Sequence, residues 1–183
     1  MSVSNKIFIF GLDEAGKTTI VKYLKDKEIL KNAQPTRTFE IINVIIEDLE
    51  FICWDAPGQT KYRDSWGEKG ILETEILMYV VDASDKERFE ESKTELLKIL
   101  ANAEVKDVPL IICFHKIDLE ESQNNVNDAI EAFKSVEIED RNVFWLKTSV
   151  NDNNSIEDLK FVIYNLLIIE EAQINLDEIQ IKF

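Results

Sequence analysis

Lys6-Ile7-Phe8-Ile9-Phe10 followed by Gly11-Leu12-Asp13-Glu14-Ala15-Gly16-Lys17-Thr18-Thr19 decides how this chain folds. An apolar run of strand length ends at a glycine, and a helical pattern opens at the next one. Gly11 and Gly16 let the backbone turn tightly, so the NH groups of the intervening loop, Asp13, Glu14 and Ala15 among them, converge on one point. The helix starting near Lys17 aims its unsatisfied donors and positive dipole end at the same point, which suits a polyphosphate. Lys17 then reaches the β- and γ-phosphates, Thr18 ligates magnesium, and Thr19 follows in the first helical turn. A chance Gly-rich turn of this form arises in roughly one chain of this length per hundred. The strand before it and the helix after it lower that chance further.

Outward from this segment, short apolar runs alternate with amphipathic helical patterns, the signature of βαβ units in a mostly parallel sheet. Strands are expected near 5–10, 39–46, 51–54, 76–81, 109–114 and 143–147. The second and third are separated only by Glu47-Asp48-Leu49-Glu50, too short for a crossover helix, so they form an antiparallel hairpin at the sheet edge. Helices are expected at about 17–27, 60–72, 86–101, 125–135 and 155–170. Ser155 with Asp158 suits a capping box, and Glu120 to Asn127 reads as a polar connection. The fold class is therefore α/β in three layers: six strands, one of them an antiparallel edge, and five helices.

With 183 residues and a net charge of -15, the chain suits one ordinary domain, and its charge opposes nucleic acid and anionic lipid. Cys53 and Cys113 sit in apolar runs and read as buried, reduced thiols without metal-ligand spacing. Ser2 at the second position excludes N-myristoylation, Lys182-Phe183 offers no prenylatable cysteine, and no apolar stretch is long enough to span a bilayer. The expectation is a cytoplasmic protein with no direct membrane anchor, recruited to membranes only through partners.

Two further segments carry chemistry. Cys53-Trp54-Asp55-Ala56-Pro57-Gly58-Gln59 ends an apolar strand with an aspartate that would hold magnesium through water. Gly58 brings its NH against the γ-phosphate, and Gln59 orients an attacking water. In Ile111-Ile112-Cys113-Phe114-His115-Lys116-Ile117-Asp118, a buried strand again ends in polar groups where open α/β sheets bind ligands. Guanine offers two adjacent donors that one carboxylate accepts together and adenine lacks that pair, so Asp118 selects guanine. Lys116 lies along the purine face, and Leu146-Lys147-Thr148-Ser149-Val150 offers backbone NH groups, those of Ser149 and Val150, to the guanine carbonyl.

Together these residues resemble a small GTPase over residues 5–170, closest to the Arf side of the Ras superfamily. Gly11-Leu12-Asp13-Glu14-Ala15-Gly16-Lys17-Thr18-Thr19, Pro35-Thr36, Trp54-Asp55 and Trp66 carry that resemblance. It implies a P-loop GTPase fold, a guanine-nucleotide domain over 1–170 and a tail over 171–183. It also implies that Thr36 is a second magnesium-binding hydroxyl and that 31–40 and 57–71 are switches. His115 and Pro57 are similar to Rag GTPases instead. Arg37 follows Thr36, so unless Thr38 is the ligand, Arg37 serves a partner.

The implied function is a GTP/GDP switch with Mg2+, turning over unaided on the order of 10⁻⁴ to 10⁻³ per second. Its partners would be an exchange factor, an activating protein and effectors, with dimerisation open and no nucleic acid. The rival expectation is a non-hydrolysing guanine-nucleotide scaffold or dimerising module. An adenine-nucleotide enzyme fits less well, since Asp118 suits guanine. Ile174, Leu176, Ile179, Ile181 and Phe183 read either as a frayed end or as a docking strand.

Overall fold

Alternation within single strands builds two cores, one on each face of a central sheet. Ile7, Ile9, Met78 and Val80 pack with Ile20, Val21, Ile163 and Leu166 on one side. Phe8, Phe10, Leu77 and Tyr79 pack with Leu96 and Phe133 on the other. Strands buried on both faces in this way read as continuous apolar runs. Residues 5–29, 34–136, 138–139 and 141–172 are described in this computed structural model.

The elements in chain order are β1 (Lys6–Phe10), α1 (Lys17–Asp26), β2 (Glu40–Ile46), β3 (Leu49–Asp55), β4 (Ile76–Asp82), α2 (Phe89–Leu100), β5 (Leu110–His115), α3 (Glu120–Lys134), β6 (Val143–Thr148) and α4 (Asn153–Ala172). The sheet runs β2-β3-β1-β4-β5-β6. Only β2 is antiparallel to its neighbour, and its turn places Glu47 in the left-handed region at φ 55. The six-stranded mixed sheet is the one anticipated from the sequence.

The helices differ from expectation in detail. The second helical segment, expected over 60–72, is a 3₁₀ turn at Thr60–Tyr62 and a π-turn at Trp66–Gly70, where the Ile71 amide reaches back to the Trp66 carbonyl at 3.2 Å. Gly70 lies against Phe8, whose ring would sit 2.4 Å from an added Cβ, so the segment carries glycine, a weak helix former, at this close approach. Helix α3 begins at Glu120, so the supposed polar connection is helical. Its polar residues form the solvent face while Ser122 and Val126 turn inward, and Glu120 and Glu121 suit the positive helix end. Helix α4 starts at Asn153, with the Asp152 carboxylate accepting from the Asn154 amide at 3.1 Å. Ser155 is thus no cap: its hydroxyl accepts from the Ser149 amide at 3.0 Å and lies 3.1 Å from the Ser149 carbonyl.

No described helix is long and apolar enough to cross a membrane. The tail reading at Ile174–Phe183, and the start of the first switch at 31–33, lie outside the described residues. Cys53 and Cys113 are free and buried, and burial pushes both thiols up to about 12.

Candidate functional site

The parallel strands end together, and their ends carry the polar groups. Ile9 stands opposite Asp55, and Asp82, His115 and Thr148 form one row across β4, β5 and β6. Between β1 and α1 the chain takes two positive-φ glycines, Gly11 at 146° and Gly16 at 98°, with Glu14 also left-handed at 64°. Gly11 has no room for a side chain, since a Cβ would stand 2.3 Å from the Val80 carbonyl oxygen. The loop wraps back on itself, and the buried Lys17 ammonium donates to the Leu12 carbonyl at 2.7 Å. Burial lowers the Lys17 pKa to about 8, against the pull of Asp55 and Asp13.

Beside Lys17 three oxygen-bearing side chains meet. The Thr18 hydroxyl donates to Asp55 Oδ2 at 2.5 Å and lies 3.0 Å from Thr36 Oγ1. Asp55 Oδ1 is buried without a hydrogen-bond partner. Desolvation pushes this carboxyl up to about 6, although Thr18 and Lys17 oppose the shift. A buried carboxylate oxygen without a donor, next to two hydroxyls, fits a hard divalent cation that prefers oxygen ligands. A cavity of about 510 Å³, lined by Lys17, Thr18, Thr19, Thr36, Gln59 and Lys116 among others, opens onto this cluster. That volume is ordinary for a small-molecule site.

At the far end, the exposed Asp118 carboxylate accepts from the Ser149 hydroxyl at 2.5 Å and from the Asn151 side chain at 2.9 Å. Desolvation works to raise its pKa, but these hydrogen bonds outweigh it and hold the carboxyl below its usual value. The Ser149 amide goes to Ser155, leaving Val150 as the next backbone group of that loop. Lys116 takes a left-handed φ of 64° and donates to Asp82 at 2.5 Å, while lining the cavity.

An ADP-ribosylation factor family model matches residues 1–166. The chain belongs to that family. Arf-family proteins are in general GTP-binding switches. The fold is also similar to a solved structure of the Arl6 BBS3 small GTPase from Trypanosoma brucei with bound GppNp, at 19% identity and a TM-score of 0.74. That match covers 90% of this chain and 98% of the other.

Where this Arf-family chain departs from the Arf pattern, the structure shows what each departure touches. The His115 ring lies 3.0 Å from Thr148 Oγ1 through Nδ1 and packs on Gly16, where an added Cβ would stand 2.4 Å from Cδ2. Burial, with Lys116 nearby, lowers its pKa to about 4, so the imidazole is neutral near neutral pH. The carbonyl of Pro57 accepts from the Trp66 indole at 2.8 Å.

Residues that the sequence reading missed surround Asp13. Arg63, buried, reaches it at 3.3 Å and Arg88 at 2.8 Å, and both arginines share Glu91. The Asp13 pKa is lowered, because these arginines outweigh its desolvation. Their separation in sequence leaves no local signal, whereas Asn151, two residues after Ser149, stood within reach of the segment already singled out.

Proposed function

We propose that this Arf-family chain is a molecular switch that binds GTP with magnesium and hydrolyses it slowly to GDP. One observation carries the reading: Thr18 and Thr36 line the same cavity as Gly16 and Lys17, and behind them the Thr18 hydroxyl meets buried Asp55, whose Oδ1 has no partner. Bound magnesium would be held by Thr18, Thr36 and Asp55 and would neutralise charge on the β- and γ-phosphates. Lys17 and the amides of Glu14 and of Gly16 to Thr19 cradle the phosphates, the Asp13 amide being held by the Gly58 carbonyl. Asp118, Lys116 and Val150 receive guanine, the Ser149 amide being held by Ser155. Gln59 orients the attacking water, and Gly58 donates to the γ-phosphate, so that hydrolysis releases both switches.

An exchange factor, an activating protein and effectors then read the two states. Pro57 and His115 support a Rag-like element within this assignment. The guanine-nucleotide domain is proposed over 1–170, with 171–183 as its tail.

The first experiment denatures protein purified without added nucleotide and identifies what it releases by chromatography. GDP or GTP is the expected result, and adenine nucleotide would overturn it. Gln59→Leu separates a slow enzyme from a non-hydrolysing scaffold. Lost turnover supports the enzyme, and an unchanged rate supports the scaffold.

A further inference from the structure

A trans peptide holds its C=O and N–H pointing in opposite directions, so a bond to the carbonyl aims the amide. Around Gly58 two successive peptide planes are held in this way from the turn that follows. Trp66 Nε1 donates to the Pro57 carbonyl at 2.8 Å, which fixes the plane carrying the Gly58 amide. Arg63 Nε donates to the Gly58 carbonyl at 2.8 Å, and the Asp13 amide reaches the same oxygen at 3.1 Å, which fixes the plane carrying the Gln59 amide.

Both clamping side chains are buried and held by partners of their own. The Arg63 side chain is 4% exposed, and its remaining nitrogens are taken by Glu91 at 2.8 Å and Asp13 at 3.3 Å. Trp66 is 1% exposed and packs edge-on against Phe10 with centroids 5.6 Å apart. Such forked contacts suit Arg, because guanidinium offers several donors in a fixed geometry. Gly58 itself leans on the phosphate loop, where an added Cβ would stand 2.6 Å from Lys17 Nζ.

We propose that Arg63 and Trp66 are positioning residues that clamp the two peptide planes flanking Gly58, setting the Gly58 amide for the γ-phosphate and Gln59 for the attacking water. The proposal rests on the GTP-switch reading above. GDP has no γ-phosphate and does not engage Gly58. A clamp on these planes therefore acts on GTP and on turnover, whereas general loosening of the domain acts on both nucleotides.

The test compares the wild-type chain, Arg63→Gln, Trp66→Phe and Gln59→Leu, each with magnesium. It measures release of GDP, release of a non-hydrolysable GTP analogue, and single-turnover GTP hydrolysis. Arg63→Gln should slow hydrolysis about 10- to 100-fold, and Trp66→Phe should release the analogue about tenfold faster. GDP release should stay close to wild type in both. Trp66→Phe keeps an aromatic ring beside Phe10 and carries the test alone should Arg63→Gln fail to fold. Equal acceleration of GDP and analogue release overturns the clamp, as does wild-type behaviour of both variants. If Gln59→Leu is slow while the other two are not, only the clamp falls. If Gln59→Leu hydrolyses at the wild-type rate, the switch reading falls and the clamp with it.

Discussion

The single histidine of the chain is buried between β6 and the phosphate loop, with Nδ1 on Thr148 and its ring on Gly16. Its pKa is lowered from 6.5 to about 4, so the folded state refuses a proton that the unfolded state accepts between those values. The contribution of His115 to stability is therefore complete above pH 6.5 and is lost as pH drops toward 4. Between about pH 7 and about pH 5 the wild type should lose roughly 2 kcal/mol more than His115→Asn. Urea denaturation at both pH values checks this, and parallel losses would refute it. Asp118 makes a second prediction of the same kind. Asp118→Asn exchanges an acceptor for a donor and should shift preference from guanine to xanthine nucleotide by at least about a hundredfold, as read by competition binding.

Helix starts show why elements need more than local pattern. Ser155 and Asp158 have capping-box spacing, yet Ser155 spends its hydroxyl on the backbone of Ser149, and Asp152 caps α4. Asp152→Ala should cost about 1 kcal/mol in denaturant unfolding, while Asp158→Ala should change it little. The reverse order would restore the capping-box assignment. The β2–β3 hairpin, by contrast, was readable from the short gap expected at Glu47 to Glu50, because no crossover fits such a connection, and the structure tightens it to Glu47 and Asp48 alone. Over 60–72 the sequence shows only that Gly67 and Gly70 weaken the helical pattern, whereas the close approach of Phe8 on β1 to Gly70 is a contact that no local pattern encodes.

Across the whole molecule, nucleotide and metal should act as stabilising ligands, because Asp55 is left with a buried oxygen that has no donor. A ligand that binds only the folded state adds about 2.7 kcal/mol at a hundredfold excess over its Kd. GDP with magnesium should raise the thermal midpoint, and a chelator should remove part of that gain. An unchanged midpoint would contradict the assigned site. The net charge of -15 also predicts no retention on anionic vesicles without a partner.

The sequence by itself determined the sheet, the phosphate loop and the positions of Asp55, Gln59 and Asp118. Each depends on consecutive residues: a strand period, a glycine turn, or a polar group that ends an apolar run. Tertiary structure alone decided which groups restrain that machinery. Asp13 meets Arg63 and Arg88 across 50 and 75 positions, and the Trp66 indole reaches the Pro57 carbonyl past the 3₁₀ turn that lies between them. Such contacts arise where separate segments pack at one end of the sheet, and no periodicity along the chain encodes which distant donor a backbone carbonyl meets there.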